Sequence, residues 1–215
     1  MTKTEIAQFV GDKLQKSDSG SLTLLKSFVD RRYEMIWGSG LWRESVGTTS
    51  YSVTAETSEV TLNSTVDFPL AAAWDDNEIT PVNYETVFSI SPEMFDESGT
   101  PTNFITLPND SSGNSRIRLL RKPDKAKTLL VLGKLKVVAL ADTDSPKING
   151  ITNALIAYVE ADMLEHLRQY GKAQVKVAEA AAQMALMRDL EVSQSAKITK
   201  LVPEVASVWD VSDFE

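Results

Sequence analysis

The chain has 215 residues, 42% of them hydrophobic and 24% charged, with 22 basic against 30 acidic side chains and a net charge of −8. A chain this long buries on the order of 70% of its unfolded surface, and its ordinary composition excludes a collagen, a coiled-coil rod and wholesale disorder. With no cysteine, a disulfide scaffold, a thiolate zinc site and cysteine catalysis are excluded as well.

Thr2-Lys3-Thr4-Glu5 has capping-box spacing, and Ile6, Phe9, Val10 and Leu14 follow at helical period. Lys3, Glu5 and Asp12 among those apolar residues argue against a signal peptide, and no apolar run approaches the roughly 18 residues of a membrane span. The chain is therefore expected to be soluble and not exported. Ser17-Asp18-Ser19-Gly20 reads as a loop, with Ser21 as the cap of a second helix. Leu24, Leu25, Phe28, Met35 and Ile36 mark that helix, which ends before Gly38-Ser39-Gly40, so residues 1–40 form a helical hairpin.

The period changes after Trp42. Tyr51, Val53 and Ala55 alternate with polar residues, as do Val60 and Leu62. Further strands are expected at Val82–Ile90, Phe104–Leu107, Arg116–Leu120 and Thr128–Val138. In the last, Leu130, Leu132, Lys134 and Lys136 alternate with Leu129, Val131, Gly133, Leu135 and Val137. Turn chemistry separates the strands at Asp75-Asp76-Asn77, Ser98–Pro101, Asn109–Asn114 and Lys122-Pro123-Asp124. Short strands without intervening helical pattern favour antiparallel pairing.

Asp142-Thr143-Asp144-Ser145-Pro146 closes this region, and the helical signal then returns. Ile151, Leu155, Tyr158, Val159, Met163, Leu167 and Tyr170 share one broad face, with Gly171 as the break. Lys172 to Gln194 is Ala-rich and of high helix propensity. From Lys197 the helical period is lost and Pro203 breaks it. Val202, Val205, Val208, Trp209 and Phe214 supply apolar anchors in an acidic context, suited to docking on the chain's own body or on a neighbour. The expected fold is α+β: a helical bundle from residues 1–45 and 148–196, an inserted antiparallel β-rich domain over 46–147, and an extended tail over 197–215.

Charge is unevenly placed. Residues 51–115 hold eleven acidic side chains and no basic one, whereas residues 116–150 hold nine basic and three acidic. A single-sign block creates a local field that repels polyanions and attracts cationic partners. Arg116, Arg118, Arg121, Lys122, Lys125 and Lys127 cluster around one predicted hairpin. The acidic balance and the lack of interleaved aromatics argue against sequence-reading or single-strand nucleic-acid binding. Protein docking is the better reading, with Arg116, Arg118, Arg121 and Lys122 as a basic flank against the acidic middle of an adjacent copy. Such a head-to-tail contact closes into a ring when the rotation allows.

Catalytic patterns are sparse. The one histidine, His166, lies in a helix pattern beside Glu165 and reads as an ordinary helix residue. Gly38-Ser39-Gly40 lacks the frame of a nucleophile elbow, and neither a Walker loop nor a dinucleotide fingerprint is present. Asp75-Asp76-Asn77-Glu78 and Asp142-x-Asp144 could hold a divalent cation, but both have the look of turns. Asn63-Ser64-Thr65 and Asn109-Asp110-Ser111 fit the glycosylation pattern, which a chain that is not exported does not use.

Taken in order, Leu24 to Trp37 with Leu41-Trp42-Arg43, the Ser98-Gly99-Thr100-Pro101 turn, and Ile117–Asp124 followed by Thr128–Val131 make a recognisable set. It continues with Asp142–Pro146, Ile151–Tyr170 and the Ala-rich helix. The set resembles the head-to-tail adaptor (connector) proteins of tailed bacteriophages, similar in plan to tail tubular protein A. Lys122 departs from the family, whose members often have an apolar or proline residue before the proline. The resemblance implies a structural virion protein of the neck, with no catalytic site and no cofactor. It implies a ring, of twelve copies in the family, joining the portal protein to the next tail or stopper component. DNA would pass through the lumen without sequence-specific binding, and no membrane would be involved. Glu56, Glu59, Asp67, Asp75, Asp76, Glu78 and Glu85 are candidates to face that lumen. Two alternatives stand beside it: a metal-assisted hydrolase or lyase using Asp75/Asp76 or Asp142/Asp144, and a ligand-binding β module.

Overall fold

A computed structural model describes residues 1–90 and 92–199. Its helices are α1 (Lys3–Lys13), α2 (Ser19–Gly38), α3 (Tyr84–Ile90), α4 (Thr152–His166) and α5 (Tyr170–Thr199). The strands are β1 (Val46–Val53), β2 (Glu59–Thr61), β3 (Val66–Trp74), β4 (Asn77–Pro81), β5 (Ser98–Gly99), β6 (Asn103–Leu107), β7 (Arg116–Leu120), β8 (Lys122–Pro123) and β9 (Lys127–Leu135). The fold is α+β. It divides into a helical unit, Met1–Tyr33 with the chain from Leu140 onward, and a β-rich unit, Glu34–Ala139.

In the helical unit, Thr2 caps α1 in a full capping box with Glu5. The helix closes on Gln15 in the left-handed region (φ 56°), where Lys16 N–H donates to Gly11 O at 2.7 Å and Gln15 N–H to Asp12 O at 3.1 Å. The second helix starts earlier than its pattern suggests. Asp18 is the cap, accepting from the Ser21 N–H at 3.0 Å and the Ser21 hydroxyl at 2.6 Å. Ser21 is thus the donor one turn in, and Ser19 and Gly20 are already helical.

The long helix expected over Ile151–Tyr170 ends instead at His166. Arg168 takes the left-handed conformation (φ 60°), Gln169 N–H donates to Leu164 O and Arg168 N–H to Glu165 O, both at 2.8 Å. This closure needs one residue at positive φ, and an arginine supplies it; Gly171 lies inside α5. The broad single face is also superseded. Ala154, Leu155, Ala157, Val159, Ala161, Met163 and Leu164 are all buried, because α4 packs along α5 and against α1.

Two acidic residues are buried with that helix. Glu160 accepts from Lys13 Nζ at 2.7 Å and faces Lys176 Nζ at 3.6 Å, tying α1 and α5 to α4. Asp162 is held by Arg32 and by Arg31, the latter at 3.0 Å. Burial makes these partners necessary, since removing one of them would leave an uncompensated charge at a cost of several kcal/mol.

The β-rich unit is built on a seven-stranded sheet of order β1-β9-β3-β4-β6-β7-β2, antiparallel except for the β4–β6 pair. Short β5 and β8 pair separately and in parallel. Val53, Val60, Trp74, Ile79, Phe104, Ile117 and Leu129, one from each strand of the large sheet, meet in a single core, so the sheet curls towards a barrel. Residues 34–45 belong here for a specific reason. Trp37 Nε1 donates to Leu135 O at 2.8 Å, and the buried Lys134 ammonium to Gly40 O at 2.9 Å and Gly38 O at 3.3 Å.

Three features differ from the sequence pattern. Val82–Ile90 is not a strand: Val82 N–H donates to Phe104 O, and the chain then turns into α3, with Asn83 Oδ1 accepting from Glu85 N–H at 3.3 Å. A local cap overrides the alternation. Second, β3 is hidden by Pro69 and three alanines. Its register against β9 shifts at Val66/Phe68 and Pro69/Ala71, the kind of irregularity that tolerates a proline. Gly133 lies opposite Pro69, and a Cβ there would fall 2.7 Å from Val66 Cγ1 and 3.1 Å from Phe68 O. Third, β4 follows β3 through a two-residue hairpin at Asp75 (φ 49°) and Asp76 (φ 65°).

Candidate interaction surfaces

The acidic pairs singled out for metal binding are occupied by local structure. Asp75 and Asp76 form the β3–β4 turn, Asn77 Nδ2 donates to Asp75 O at 3.1 Å, and Asp75 is ion-paired with Lys127. Asp142 accepts from Lys26 at 2.6 Å and faces Lys3 at 3.8 Å, contacts that hold its carboxyl below the usual carboxylate range, Lys26 foremost. Its carbonyl accepts from Thr4 N–H and the Thr4 hydroxyl, and Asp144 Oδ2 accepts from Ala141 N–H at 3.0 Å. Asp75, Asp142 and Asp144 thus accept from groups of their own chain, and Asp76 shapes the turn. Among the described residues no group of three or more His, Asp or Glu is arranged to hold a metal ion. His166 is exposed near the end of α4.

The four residues of the basic flank lie together in the β-rich unit, and the acidic stretch that precedes them folds beside them. Arg116 is paired with Glu59, Arg121 Nε with Glu97 at 3.2 Å, and Lys122 with Asp96 at 3.3 Å. Arg118 lies over the Phe95 ring, 5.0 Å from its centroid, and donates to Phe95 O at 3.2 Å. Most of this charge is balanced within one copy. A neighbour would meet dipoles and ion pairs here rather than a bare basic face.

The surface that the sequence pattern did not pick out is apolar. Both faces of β9 carry leucine or valine. Leu129 and Val131 enter the core, whereas Leu130 and Leu132 are 44% and 37% exposed. Leu130 pairs with Ser50 and Ala73, and Leu132 with Thr48 and Ala71. Leu130 and Leu132, with Thr48, Ala71–Ala73 and Glu78, line a shallow depression of about 180 Å³ on the outer sheet face. The clue in the sequence is that β9 has apolar residues at both parities. A second exposed group lies on α3, where Tyr84 and Phe88 stack with centroids 6.3 Å apart and Tyr84 tilts against Phe95 at 5.4 Å. A third is the outer side of α5, with Val175, Leu186 and Leu190 more than 60% exposed.

Of the tail anchors, Val202, Val205, Val208, Trp209 and Phe214 lie outside the described residues. No helix among the described residues is long and apolar enough to cross a membrane. Compared with known proteins, the chain matches no family model and no curated sequence.

Proposed function

We propose that the protein is a head-to-tail adaptor of a tailed bacteriophage, a structural component of the virion neck that joins the portal protein to the next tail component as a ring. The observation that carries this reading is the discontinuous architecture. Helices from both ends of the chain make one unit, and the β-rich segment between them makes the other. That is the plan implied by the ordered resemblance of Leu24–Trp37, Ile117–Asp124 and Ile151–Tyr170 to the adaptor family. In this reading the helices of both ends form the bundle, and the tail from Lys197 docks on the portal or a neighbour.

The electrostatics support a passive channel. The chain carries −8 overall, and a carboxylate-rich lumen repels phosphate so that duplex DNA slides without adhering. The ligand-binding alternative draws support from the Leu130/Leu132 depression, which is apolar and open. Its shallowness suits a protein segment better than a small molecule.

The deciding experiment is co-expression with the cognate portal, followed by pull-down and electron microscopy of the complex and of intact particles. The expected result is a ring of this chain below the portal. Particles whose neck lacks it, or a portal that does not retain it, overturn the assignment.

A further inference from the structure

The two edges of the large sheet differ in kind. At one end β2 is three residues long and carries Glu59, ion-paired with Arg116, which is how natural sheets blunt an edge. At the other end β1 runs eight residues, Val46–Val53, in unbroken register with β9. It contains neither a charged residue nor a proline, and β9 is the only described strand paired with it. A long, regular, uncharged edge leaves a row of backbone N–H and C=O groups ready to pair with another chain. Beside it lie the exposed Leu130 and Leu132, where side chains of an added strand would find apolar cover.

The chain itself holds a segment of matching length. Sixteen residues follow Thr199, and after Pro203 the eight residues Glu204–Val211 contain no Lys, Arg, Gly or Pro. Val205, Trp209 and Val211 fall at one parity, separated by Ser207. Branched and aromatic residues at that spacing suit a strand with one apolar face.

Helix α5 runs beyond the helix it packs against. Helices α4 and α5 have 15 and 30 residues, joined by the tight turn at Leu167–Gln169, and Glu160 lies opposite Lys176. The pair is antiparallel, and Met184 is the last buried residue identified on α5. The remaining 15 residues to Thr199 project about 22 Å past the start of α4, at roughly 1.5 Å per residue.

We propose that Glu204–Val211 of one copy adds as an extra strand to the free β1 edge of a second copy. Backbone pairing supplies the affinity, and the Leu130/Leu132 face takes the apolar side chains. Donor and acceptor are different surfaces, so the contact is heterologous and propagates from copy to copy. It names the joint of the proposed ring, and rests on that reading for the requirement that copies meet.

The absence of native cysteine makes the test clean. Full-length Ser50→Cys protein is mixed with full-length Ser207→Cys or Val208→Cys protein under mild oxidation. A Ser112→Cys partner, altered in the exposed β6–β7 turn, serves as control. The expected result is a concentration-dependent covalent heterodimer, at least about tenfold above the control. Adding Val208→Pro to the Ser207→Cys copy, which removes a backbone donor without touching any described residue, should abolish it. No heterodimer above control, with both proteins folded by circular dichroism, overturns the proposal. So does a disulfide that forms only within a single chain carrying both Ser50→Cys and Ser207→Cys, since that is the chain's own tail. Rings on the portal without this cross-link would sink the strand contact and leave the adaptor reading standing. The cross-link without portal binding would do the reverse.

Discussion

Arg32 grips Asp162 through two bonds, Nε to Oδ2 at 2.8 Å and Nη2 to Oδ1, while its guanidinium lies 5.0 Å from the centroid of the Tyr158 ring. The Asp162 side chain is 1% exposed, and its carboxylate raises the Arg32 pKa further above the usual arginine value. Removing one charge of such a pair strands the other in a poorly solvated site. Asp162→Asn should cost about 3 kcal/mol, a drop of roughly 6–12 °C in Tm by calorimetry. A change under about 0.5 kcal/mol would mean that the pair is solvated in solution.

Gly133 is required by a close approach. Any side chain there meets Val66 Cγ1 and the Phe68 carbonyl, so Gly133→Ala should destabilise the β-rich unit by about 1–3 kcal/mol. Gly171→Ala is the matched control, because nothing lies within 4 Å of the added Cβ. In a helix that change stabilises by up to about 1 kcal/mol. Chemical denaturation of both variants separates crowding from backbone entropy.

Arg168 is an exposed residue held at positive φ to close α4. Glycine adopts that conformation without a Cβ penalty, so Arg168→Gly should raise stability by about 0.5–1 kcal/mol despite greater freedom in the unfolded chain. Gln15→Gly, at the equivalent position after α1, should behave alike. A fall in Tm for both would show that the side chains contribute more than the turn geometry.

Acid should weaken the fold in a defined window. Hydrogen bonds lower the pKa of Asp18, Asp110 and Asp142: to Asp18 from Ser21, to Asp110 from Asn114, and to Asp142 from Lys26. A folded-state pKa below the unfolded value means that the unfolded chain binds protons first. The stabilisation is therefore full above the ordinary Asp value of about 3.9 and is lost as pH falls through the lowered folded values. Tm followed from pH 7 down to pH 2.5 should fall most steeply below about pH 4. Asp110→Asn should lower Tm at pH 7 and converge with the native chain at the acid end. Parallel curves across the whole range would refute the linkage.

What could be read in advance follows from how local each signal is. The α1 cap, the helices α1 and α2, and strand β9 rest on near neighbours in sequence, and their patterns are plain. The α3 segment reads as a strand because its apolar residues alternate, and only the Asn83 cap makes it helical. Strand β3 was missed because Pro69 and the alanines carry no strand signal; its pairing with β9 across a bulge supplies the stability instead. The charges of the basic flank were visible, but their partners Glu59, Asp96 and Glu97 come from up to 57 positions earlier, as with Arg116 and Glu59. Only the fold brings those together. The Leu130/Leu132 face is not legible in the sequence, because a strand with two apolar faces reads as doubly buried, whereas here one side is open.

The link between Lys13 and Glu160 also bears on how the polypeptide is made. The two residues are 147 positions apart in the chain. At about 5–20 residues per second, α1 emerges from the ribosome on the order of ten seconds before its partner carboxylate exists. During that interval the entire β-rich segment is synthesised, and all the ladder partners of its strands lie within it. Translation therefore presents the cell with a nascent chain whose β-rich segment can mature while α1 waits, its apolar face uncovered, for α4 to be made.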